Sequence, residues 1–375
     1  MSPPDTPRVL QLCHGYDGPF LDCARQYAVL FAGTPYRVTT VFLTGVPDER
    51  VAAACASDEV LFLGYSSKEV GGLKLGAIRR LREIVRERNF RLCIAHRFKP
   101  TYIACLATRL PVIGVNHAFG VYQRFSRRVL ANLFHKRLLL LGVSNAVRDD
   151  IRACLPGWPA ERIETLYNRI DIEAVQAEQL PREEARIALG LSSDAWVFGN
   201  VGRLHPDKDQ ATLIRAFAQA LPQLPKDSLL VIMGAGRLEA TLKSLAASLD
   251  VAGHVLFLGQ VANGRRYFKA FDVFALASDH EPFGMVLLEA MAAGVPVISS
   301  DCGGAPEVVG ACGMLFTLGD DGQLAGCLQQ MAGLAGDELE AQRSKVQSRL
   351  VQMFSDAVVR DQFWDRQWLA NRVKP

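Results

Sequence analysis

Apolar residues in the first half of the chain form short runs, separated by longer segments with helical periodicity. The runs predict strands at 9–14, 36–43, 59–63, 92–95, 112–116 and 138–143. The intervening segments predict helices at 20–32, 74–88, 102–109 and 126–134. Because strands and helices alternate, we expect a parallel sheet with helices on both faces.

The same alternation starts again after a polar stretch. A strand begins at Trp196, and a helix at 211–221, a strand at 229–233, a helix ending at 249 and a strand at 255–258 follow. Two Rossmann-like units in tandem are predicted, with ligands beyond the carboxyl ends of their strands. The expected divisions are a first domain at 1–171, a linker at 172–181, a second domain at 182–350 and a helical end segment at 351–375.

Composition agrees with a two-domain α/β protein. The chain has 375 residues, 49% hydrophobic and 22% charged, which is enough for two cores of ordinary size. No apolar run is long enough for a membrane span, and the N-terminal residues do not have the pattern of a signal peptide. The 9 cysteines are scattered and form no C-x-x-C pair, so we expect a reducing, cytoplasmic environment.

The segment 278–309 carries the strongest chemical signal, because it holds two carboxylates around a short apolar helix. Pro282 to Gly284 end the preceding strand, and a helix is predicted at 285–293, with Gly294 at its end. Glu281 therefore lies ahead of the helix and Glu289 within it. At the rise of a helix the two carboxylates lie about 10 Å apart, a length comparable to the ribose-to-hexose span of a nucleotide sugar.

Groups suited to phosphate flank these carboxylates. A Gly-Gly turn at 303–304 precedes Pro306, where a new helix is predicted whose N-terminus favours a phosphate. Arg203 and Lys208 follow the first strand of the second domain and can reach the same edge of the sheet. A guanidinium and an ammonium are suitable donors for a diphosphate, although a solvated loop with two cations is an equal alternative for that spacing alone.

In its glycines, prolines and acids, the segment 278–309 resembles the E-x7-E signature of retaining GT-B glycosyltransferases, especially glycosyltransferase family 4. The resemblance implies two Rossmann-like domains with parallel sheets facing across a cleft, and a final helix that crosses back to the first domain. It also implies that Glu281 and Glu289 orient the donor, with Phe283 and Gly284 beside it. Arg203 and Lys208 would hold the diphosphate in place of a metal ion, so neither metal nor cofactor is expected.

Further positions match the family in the second domain. Gly234 and Gly236 resemble a G-x-G turn near the nucleotide, although a plain strand-to-helix turn explains them equally well. Gly259 and Gln260 lie in a segment that resembles the one whose backbone pairs with the base. A UDP-sugar is favoured as donor, while the sequence alone does not decide the base.

In the first domain, His117 follows an apolar strand and matches a family histidine near the reacting carbon. A histidine there can hold a hydrogen bond to a sugar hydroxyl or move charge. His96 ends the previous strand, where a buried, satisfied histidine is the favoured interpretation. Ser144 resembles a family turn and can equally cap the following helix. Arg169 stands where relatives usually carry the glycine of N-G-I-D.

The first turn departs from the family, in which two adjacent glycines usually place backbone amides against the donor. This chain has Gly15-Tyr16-Asp17-Gly18 there. Gly15 and Gly18 can still allow close approach of the donor. We expect Asp17 to face the acceptor or the donor sugar rather than the phosphate.

Charge is unevenly divided along the chain. Residues 1–177 carry 24 Lys and Arg against 16 Asp and Glu, and within 68–137 the ratio is 16 to 3. Cations alternate with apolar residues at helical spacing in 122–137, which is typical of an interfacial amphipathic helix, although a basic solvated face is the alternative. Such a surface suits a phosphorylated lipid at the inner leaflet. Nucleic acid is not expected as a partner, since no RNA module or helix-turn-helix accompanies the charge.

These patterns predict a retaining, metal-independent enzyme that moves a hexose from a nucleoside-diphosphate sugar to a hydroxyl of a glycolipid or oligosaccharide. Lipopolysaccharide core or envelope polysaccharide synthesis is the favoured setting, with the protein cytoplasmic or peripheral on the inner face of the membrane. Two alternatives remain open. One is another GT-B sugar-nucleotide enzyme, such as an epimerase or a glycogen-type synthase. The other is a non-catalytic nucleotide-binding regulatory protein, although no G-x-G-x-x-G opens the chain.

Overall fold

The computed structural model describes residues 6–18 and 20–373, which form two compact units. Unit 1 contains the residues up to 169 together with those from 356 onward, and unit 2 contains residues 170–355. Both units are α/β, as the alternation of patterns predicts. None of the described helices combines the length and the apolar character that crossing a bilayer requires.

Unit 1 is built on a seven-stranded parallel sheet with the strand order β3-β2-β1-β4-β5-β6-β7. Its strands are β1 Arg8–Cys13, β2 Arg37–Phe42, β3 Glu59–Phe62, β4 Phe90–His96, β5 Val112–Asn116, β6 Leu138–Gly142 and β7 Ile163–Thr165. Its first helices are α1 Phe20–Ala28, α2 Glu49–Ala54, α3 Leu75–Arg86, α4 Phe98–Ala107, α5 Phe125–Phe134 and α6 Asn145–Cys154. Strands β5 and β6 are buried along their whole length, as apolar strands covered on both faces are.

Unit 2 is built on a six-stranded parallel sheet with the order β10-β9-β8-β11-β12-β13. Its strands are β8 Trp196–Val201, β9 Ser228–Met233, β10 Val255–Gly259, β11 Val273–Leu276, β12 Val297–Ser300 and β13 Met314–Phe316. Its helices are α7 Ile172–Glu178, α8 Arg182–Leu189, α9 Gln210–Ala220, α10 Glu239–Ser248, α11 Met285–Ala292, α12 Ala305–Val309, α13 Asp321–Ala332 and α14 Asp337–Phe354. Phe198, Phe217 and Ile298 are fully buried in its core.

The end of the chain returns to unit 1 through α15 Asp356–Trp364 and α16 Gln367–Ala370. The Trp364 indole donates a hydrogen bond to the Leu30 carbonyl at 2.9 Å, and its ring packs against Phe31. The return begins at 356, whereas the sequence suggested 351, because α14 runs to Phe354 as part of unit 2.

The segment 172–181, which was expected to be a linker, contains α7 instead. The Asp171 carboxylate accepts the Ala174 N–H as a helix cap, and Val175 is buried. The segment joins unit 2, since the Leu180 N–H donates to the Arg266 carbonyl at 2.9 Å. Its polar composition reflects one exposed helix face rather than a flexible connection.

Arg169, which replaces the expected glycine, is fully buried in unit 1. Its Nε lies 2.6 Å from an Asp356 carboxylate oxygen, and its guanidinium also donates to the Gln26 carbonyl. Asp356 additionally pairs with Arg25 at 3.3 Å. The substituted position is therefore held by an ion pair between residues 187 positions apart in the chain.

Candidate functional site

The sheet of unit 2 contains a topological switch point. From β8 the chain continues to β9 and β10 on one side, and the later strands β11, β12 and β13 lie on the other side. The loops after β8 and β11 therefore separate at the carboxyl edge, where open α/β sheets bind ligands. These are the loops that carry Arg203, Lys208 and Glu281.

Lys208 and Glu281 meet across this switch point. The Lys208 ammonium donates to Glu281 Oε2 at 2.8 Å and to the Ser278 hydroxyl at 3.3 Å. The two side chains are only 19% and 10% exposed. The sequence suggested separate roles for these residues, but the structure joins them in a largely buried ion pair.

Arg203 is placed differently, because its side chain is 72% exposed. Its guanidinium lies 3.3 Å from the Asp207 carboxylate, while its carbonyl accepts a hydrogen bond from the Gln210 amide. An exposed ion pair of this kind holds a side chain only weakly. The backbone of Arg203 is therefore fixed, and its guanidinium can turn toward an anion at the edge of the sheet.

The same loop contains a D-x-D sequence, Asp207-Lys208-Asp209, whose two carboxylates are the first to consider for a metal. The Asp207 carboxylate is engaged by Arg203 and His205. The Asp209 carboxylate caps α9 by accepting the Thr212 hydroxyl at 2.7 Å and the Thr212 N–H at 3.3 Å. Both acids thus shape the loop, and among the described residues no group of three His, Cys, Asp or Glu side chains could hold a metal ion.

The predicted helix of the signature segment is confirmed as α11. Gly284, in the left-handed region with a φ of 101°, begins it, and Gly294 follows it with a φ of 70°. Glu289 lies within α11 on the half-buried side that also carries Met285. Phe283 is 2% exposed and packs edge-on against Phe354, so its ring belongs to the core and only its backbone can approach a donor.

Close backbone contacts explain why glycine occupies positions 234 and 236. A Cβ on Gly234 would lie 1.9 Å from the Gly202 carbonyl oxygen, and one on Gly236 would lie 2.3 Å from the Leu204 carbonyl oxygen. These glycines let the loops after β8 and β9 pack backbone against backbone. The plain-turn interpretation of the G-x-G is therefore sufficient to explain them.

Hydrogen bonds connect the edge loops in the order of their strands. The Gly234 N–H donates to the Gly259 carbonyl at 2.8 Å, and the Leu204 N–H donates to the Ala235 carbonyl at 3.1 Å. Across the switch point, the Asp279 N–H donates to the Asp207 carbonyl at 3.1 Å. The edge is thus preorganised, while Gln260 at its end is exposed.

On the far side of Glu281 the connection continues. Its carbonyl accepts the Gly304 N–H at 2.8 Å, and a Cβ on Gly304 would lie 2.4 Å from the Pro282 carbonyl oxygen. Gly304 therefore brings the loop after β12 against the signature loop. The helix predicted at Pro306 is short, since α12 spans only Ala305–Val309.

In unit 1, two histidines lie at the carboxyl ends of neighbouring strands. His96 Nδ1 lies 3.3 Å from His117 Nε2, and the rings stack with centroids 5.5 Å apart. Burial and the Arg97 charge lower the pKa of His117 to about 4, and burial lowers the pKa of His96 well below its ordinary value. Both imidazoles are neutral at pH 7, which favours a hydrogen-bonding role for His117 over a charged one.

His96 was expected to be buried with both ring nitrogens hydrogen-bonded, but within the described part of the chain only one of them has a partner. Its Nδ1 faces His117, but its Nε2 is buried and has no hydrogen-bond partner among the described residues. The Tyr27 ring packs perpendicular to the His96 ring, with 4.8 Å between the centroids. The cap interpretation of Ser144 is confirmed, since its hydroxyl accepts the Val147 N–H at 3.1 Å.

The unusual first turn is accommodated by packing of Tyr16. Its ring lies edge-on to Phe42 at 5.5 Å, and its hydroxyl donates to the Val46 carbonyl at 3.0 Å. Gly15 is buried, and a Cβ there would lie 2.7 Å from the Thr44 hydroxyl oxygen. Asp17 and Gly18 are exposed, and Gly18 has a φ of 59° with open space around its Cα. Both can be approached by a ligand.

Comparisons with known proteins agree that the chain is similar to glycosyltransferases. Residues 33–174 match the family described as Glycosyltransferase Family 4, and residues 181–332 match Glycosyl transferases group 1. An N-acetylgalactosaminyltransferase of Campylobacter jejuni, named as acting on N-acetylgalactosamine-N,N'-diacetylbacillosaminyl-diphospho-undecaprenol, is 31% identical over 279 residues, 70% of this chain and 72% of its own. An uncharacterized glycosyltransferase of Methanocaldococcus jannaschii is 32% identical over 201 residues, 51% of this chain and only 50% of its own.

Solved structures agree on the fold. Anabaena HepE in complex with UDP superposes with a TM-score of 0.78 at 24% identity, covering 95% of this chain and 98% of its own. A glycosyltransferase of Rickettsia africae superposes with a TM-score of 0.83 at 16% identity, covering 98% of each chain. Together with the two parallel sheets, this similarity gives the chain the GT-B fold.

Proposed function

Because the chain belongs to the family 4 glycosyltransferases with the GT-B fold, we propose that it transfers a hexose from a nucleoside-diphosphate sugar to a hydroxyl of a glycolipid or oligosaccharide, with retention and without a metal. The observation that carries the proposal is the Lys208–Glu281 ion pair at the switch point of unit 2. A UDP-sugar is the favoured donor, which is supported by the UDP and UDP-glucose complexes of HepE.

The residues of the edge divide the chemistry between them. Arg203 and Lys208 supply positive charge where a diphosphate would collect negative charge as the bond from the sugar carbon to the phosphate oxygen breaks. The acceptor oxygen forms the new bond to that carbon, and its proton passes to the departing diphosphate. Glu281, held by Lys208, and Glu289 would accept hydrogen bonds from donor hydroxyls, while neutral His117 would hydrogen-bond the sugar.

Donor binding can be tested by a thermal-shift screen with UDP-, GDP- and ADP-sugars, followed by measurement of nucleotide release with and without acceptors. A ligand that binds only the folded protein raises its melting temperature. We expect Arg203→Ala to lose most of this shift. Lys226→Ala is the matched control, since Lys226 is exposed and precedes β9 at the opposite, amino edge of the same sheet.

The readouts separate this proposal from the alternatives. Transfer that requires an acceptor supports a glycosyltransferase, whereas conversion of the donor sugar without acceptor would identify an epimerase. Binding without turnover for any donor and acceptor would point to a regulatory protein. Loss of binding in Lys226→Ala but not in Arg203→Ala would refute the placement of the site.

The proposed location is the anionic inner leaflet of the cytoplasmic membrane, in synthesis of lipopolysaccharide core or envelope polysaccharide. This proposal is supported by α5, where Phe125, Val129 and Leu133 are 74%, 48% and 70% exposed at intervals of one helical turn. Arg124, Arg128 and Lys136 accompany this apolar stripe. An amphipathic helix with that composition binds anionic lipid surfaces.

Membrane association is testable by sedimentation with phosphatidylglycerol vesicles. We expect Phe125→Ser/Leu133→Ser to release the protein into the supernatant. Ile187→Ser is the matched control, because Ile187 is 78% exposed but lies on α8 of unit 2. Equal sedimentation of all three proteins would exclude α5 as the contact.

A further inference from the structure

A cavity of about 440 Å³ opens at the carboxyl edge of the unit 1 sheet. Arg97, Lys99 and Arg127 line it together with His14 and His117, and none of its lining residues is acidic. Among the described residues no carboxylate forms an ion pair with any of these three cations. A pocket lined by three cations without ion-pair partners is suited to an anion of high charge.

The two guanidinium groups are held in place by aromatic rings. The Arg97 guanidinium lies 4.7 Å from the centroid of the Phe20 ring, and the Arg127 guanidinium lies 4.7 Å from that of Phe98. Stacking occupies the face of a guanidinium and not its N–H donors. One N–H of the Arg127 guanidinium donates to the Val121 carbonyl at 2.9 Å. The remaining donors are available for a bidentate contact.

The backbone at Arg97 is strained. Its φ of 73° and ψ of 167° lie in a region that is essentially reserved for glycine and costs about 1–3 kcal/mol for other residues. The Arg97 N–H donates to the Val115 carbonyl at 2.8 Å, and its carbonyl accepts the Thr101 hydroxyl at 2.9 Å, so the conformation is held from both sides. An arginine at a position where glycine would be relaxed indicates that its side chain is needed there.

Helix α4 adds to the positive potential. It starts directly after Arg97, and its first turn, Phe98, Lys99 and Pro100, lines the cavity. The N-terminus of a ten-residue helix favours negative charge. Burial and the charges of Lys99 and Arg97 lower the pKa of His14, and the opposing charge of Asp17 does not reverse the shift.

We propose that this cavity binds a phosphate or diphosphate group of the acceptor substrate, held by Arg97, Lys99 and Arg127. The inference rests on the proposed glycosyl transfer and narrows its acceptor to phosphorylated molecules. His117, to which the proposed function gives a hydrogen bond with the transferred sugar, lines the same cavity, so an anion bound here would lie beside the reacting groups. Arg127 also lies on α5, whose residues Phe125 and Val129 line a second cavity of about 600 Å³, so a lipid carrying the phosphate could follow that helix.

Hydrogen–deuterium exchange of the full chain locates the binding directly. With inorganic pyrophosphate as the probe, we expect protection of peptides covering 97–107 and 117–127, compared with sodium chloride at equal ionic strength. Lys99→Ala/Arg127→Ala should raise the pyrophosphate concentration that gives half-maximal protection by about tenfold or more for each cation removed, as the loss of a charged hydrogen bond does. Arg79→Ala/Arg80→Ala is the matched control, since both arginines are exposed on α3 of the same unit.

Arg97→Gly gives a second, independent variant. Glycine relaxes the backbone at this φ, so the melting temperature should stay equal or rise while pyrophosphate binding weakens by about tenfold. A merely structural role for Arg97 would instead lower the melting temperature. Undiminished protection in both variants, or no protection of these peptides in the wild type, would overturn the inference.

The source of the phosphate is decided by two further arms. Glucose 1-phosphate represents a soluble acceptor, and phosphatidylcholine vesicles containing a long-chain prenyl diphosphate represent a lipid-linked one. Protection at 97–107 by either probe supports the site, and the probe that protects at the lower concentration identifies the source of the phosphate. Failure of the donor proposal would instead appear as absent nucleotide-sugar binding in unit 2 with protection at 97–107 intact.

Discussion

Removing either partner of the Lys208–Glu281 pair should have separate effects on stability and on activity. The two charges are 2.8 Å apart, which corresponds to a gross attraction of about 6 kcal/mol at an effective dielectric constant of about 20. Desolvation offsets part of this attraction, and breaking a buried pair costs about 3–5 kcal/mol because the remaining charge is left alone. Since Lys208 is 19% exposed, we expect Lys208→Met to cost about 3 kcal/mol of local unfolding free energy.

The double variant Lys208→Met/Glu281→Gln removes both charges and should recover stability to within about 1 kcal/mol of the wild type. Native-state hydrogen exchange of peptides covering β8 and β11 measures the local unfolding free energy. Transfer activity should fall about a hundredfold or more in each single variant and stay low in the double variant, because the groups that the proposed function assigns to the donor remain absent. Recovery of activity together with stability would show that the pair is only structural and would refute its assignment to the donor site.

Three further changes test other parts of the structure. Gly234→Ala should cost about 2–4 kcal/mol of unfolding free energy in urea titrations, because its Cβ would lie 1.9 Å from the Gly202 carbonyl oxygen, whereas Gly253→Ala, with open space around it, should change it by less than about 0.5 kcal/mol. Asp356→Ala should cost about 3–5 kcal/mol in the same assay because it leaves the buried Arg169 guanidinium without its carboxylate, and Arg169→Met in that background should recover much of the loss. Acid should destabilise unit 1 between about pH 6.5 and pH 4, because the unfolded chain protonates His117 below its ordinary pKa of 6.5 while the folded chain resists until about 4. His117→Gln should make the melting temperature less dependent on pH and leave the part due to His96 and His14, whose pKa values are also lowered; an unchanged slope would contradict the neutral state of His117.

The parallel sheets and α11 could be predicted because their signals are local. Apolar runs fix buried strands, and the glycines and prolines around 285–292 fix the ends of a helix. The start of α4 was missed by four residues, since Pro100 lies in its first turn, where proline is tolerated, and because Arg97 adopts a backbone conformation that no propensity indicates. The missed turn is the one that lines the cationic cavity.

Contacts between distant positions account for most of what sequence reasoning could not supply. Lys208 and Glu281 were assigned to phosphate and sugar by their types, but their pairing depends on β8 and β11 being neighbours, which only the strand order fixes. The glycines at 234 and 236 were matched to a nucleotide turn, yet the atoms that exclude a Cβ there belong to residues 202 and 204 of another loop. In both cases the sequence pointed to the right residues. The reason for each residue type lies in a partner on another loop, which the spacing along the chain does not reveal.

The ion pair between Arg169 and Asp356 is a third contact between distant positions. An arginine where the family resemblance implies a glycine suggests a local disturbance of the turn. The structure instead shows a buried guanidinium that needs a carboxylate, and Asp356 provides it at the residue where the chain re-enters unit 1. A buried charge without a partner is too costly to persist, so the arginine at 169 and the acid at 356 form one structural feature. The two places where the chain leaves and re-enters unit 1 are therefore fastened to each other within that unit, and a glycine at 169 would make no such bond.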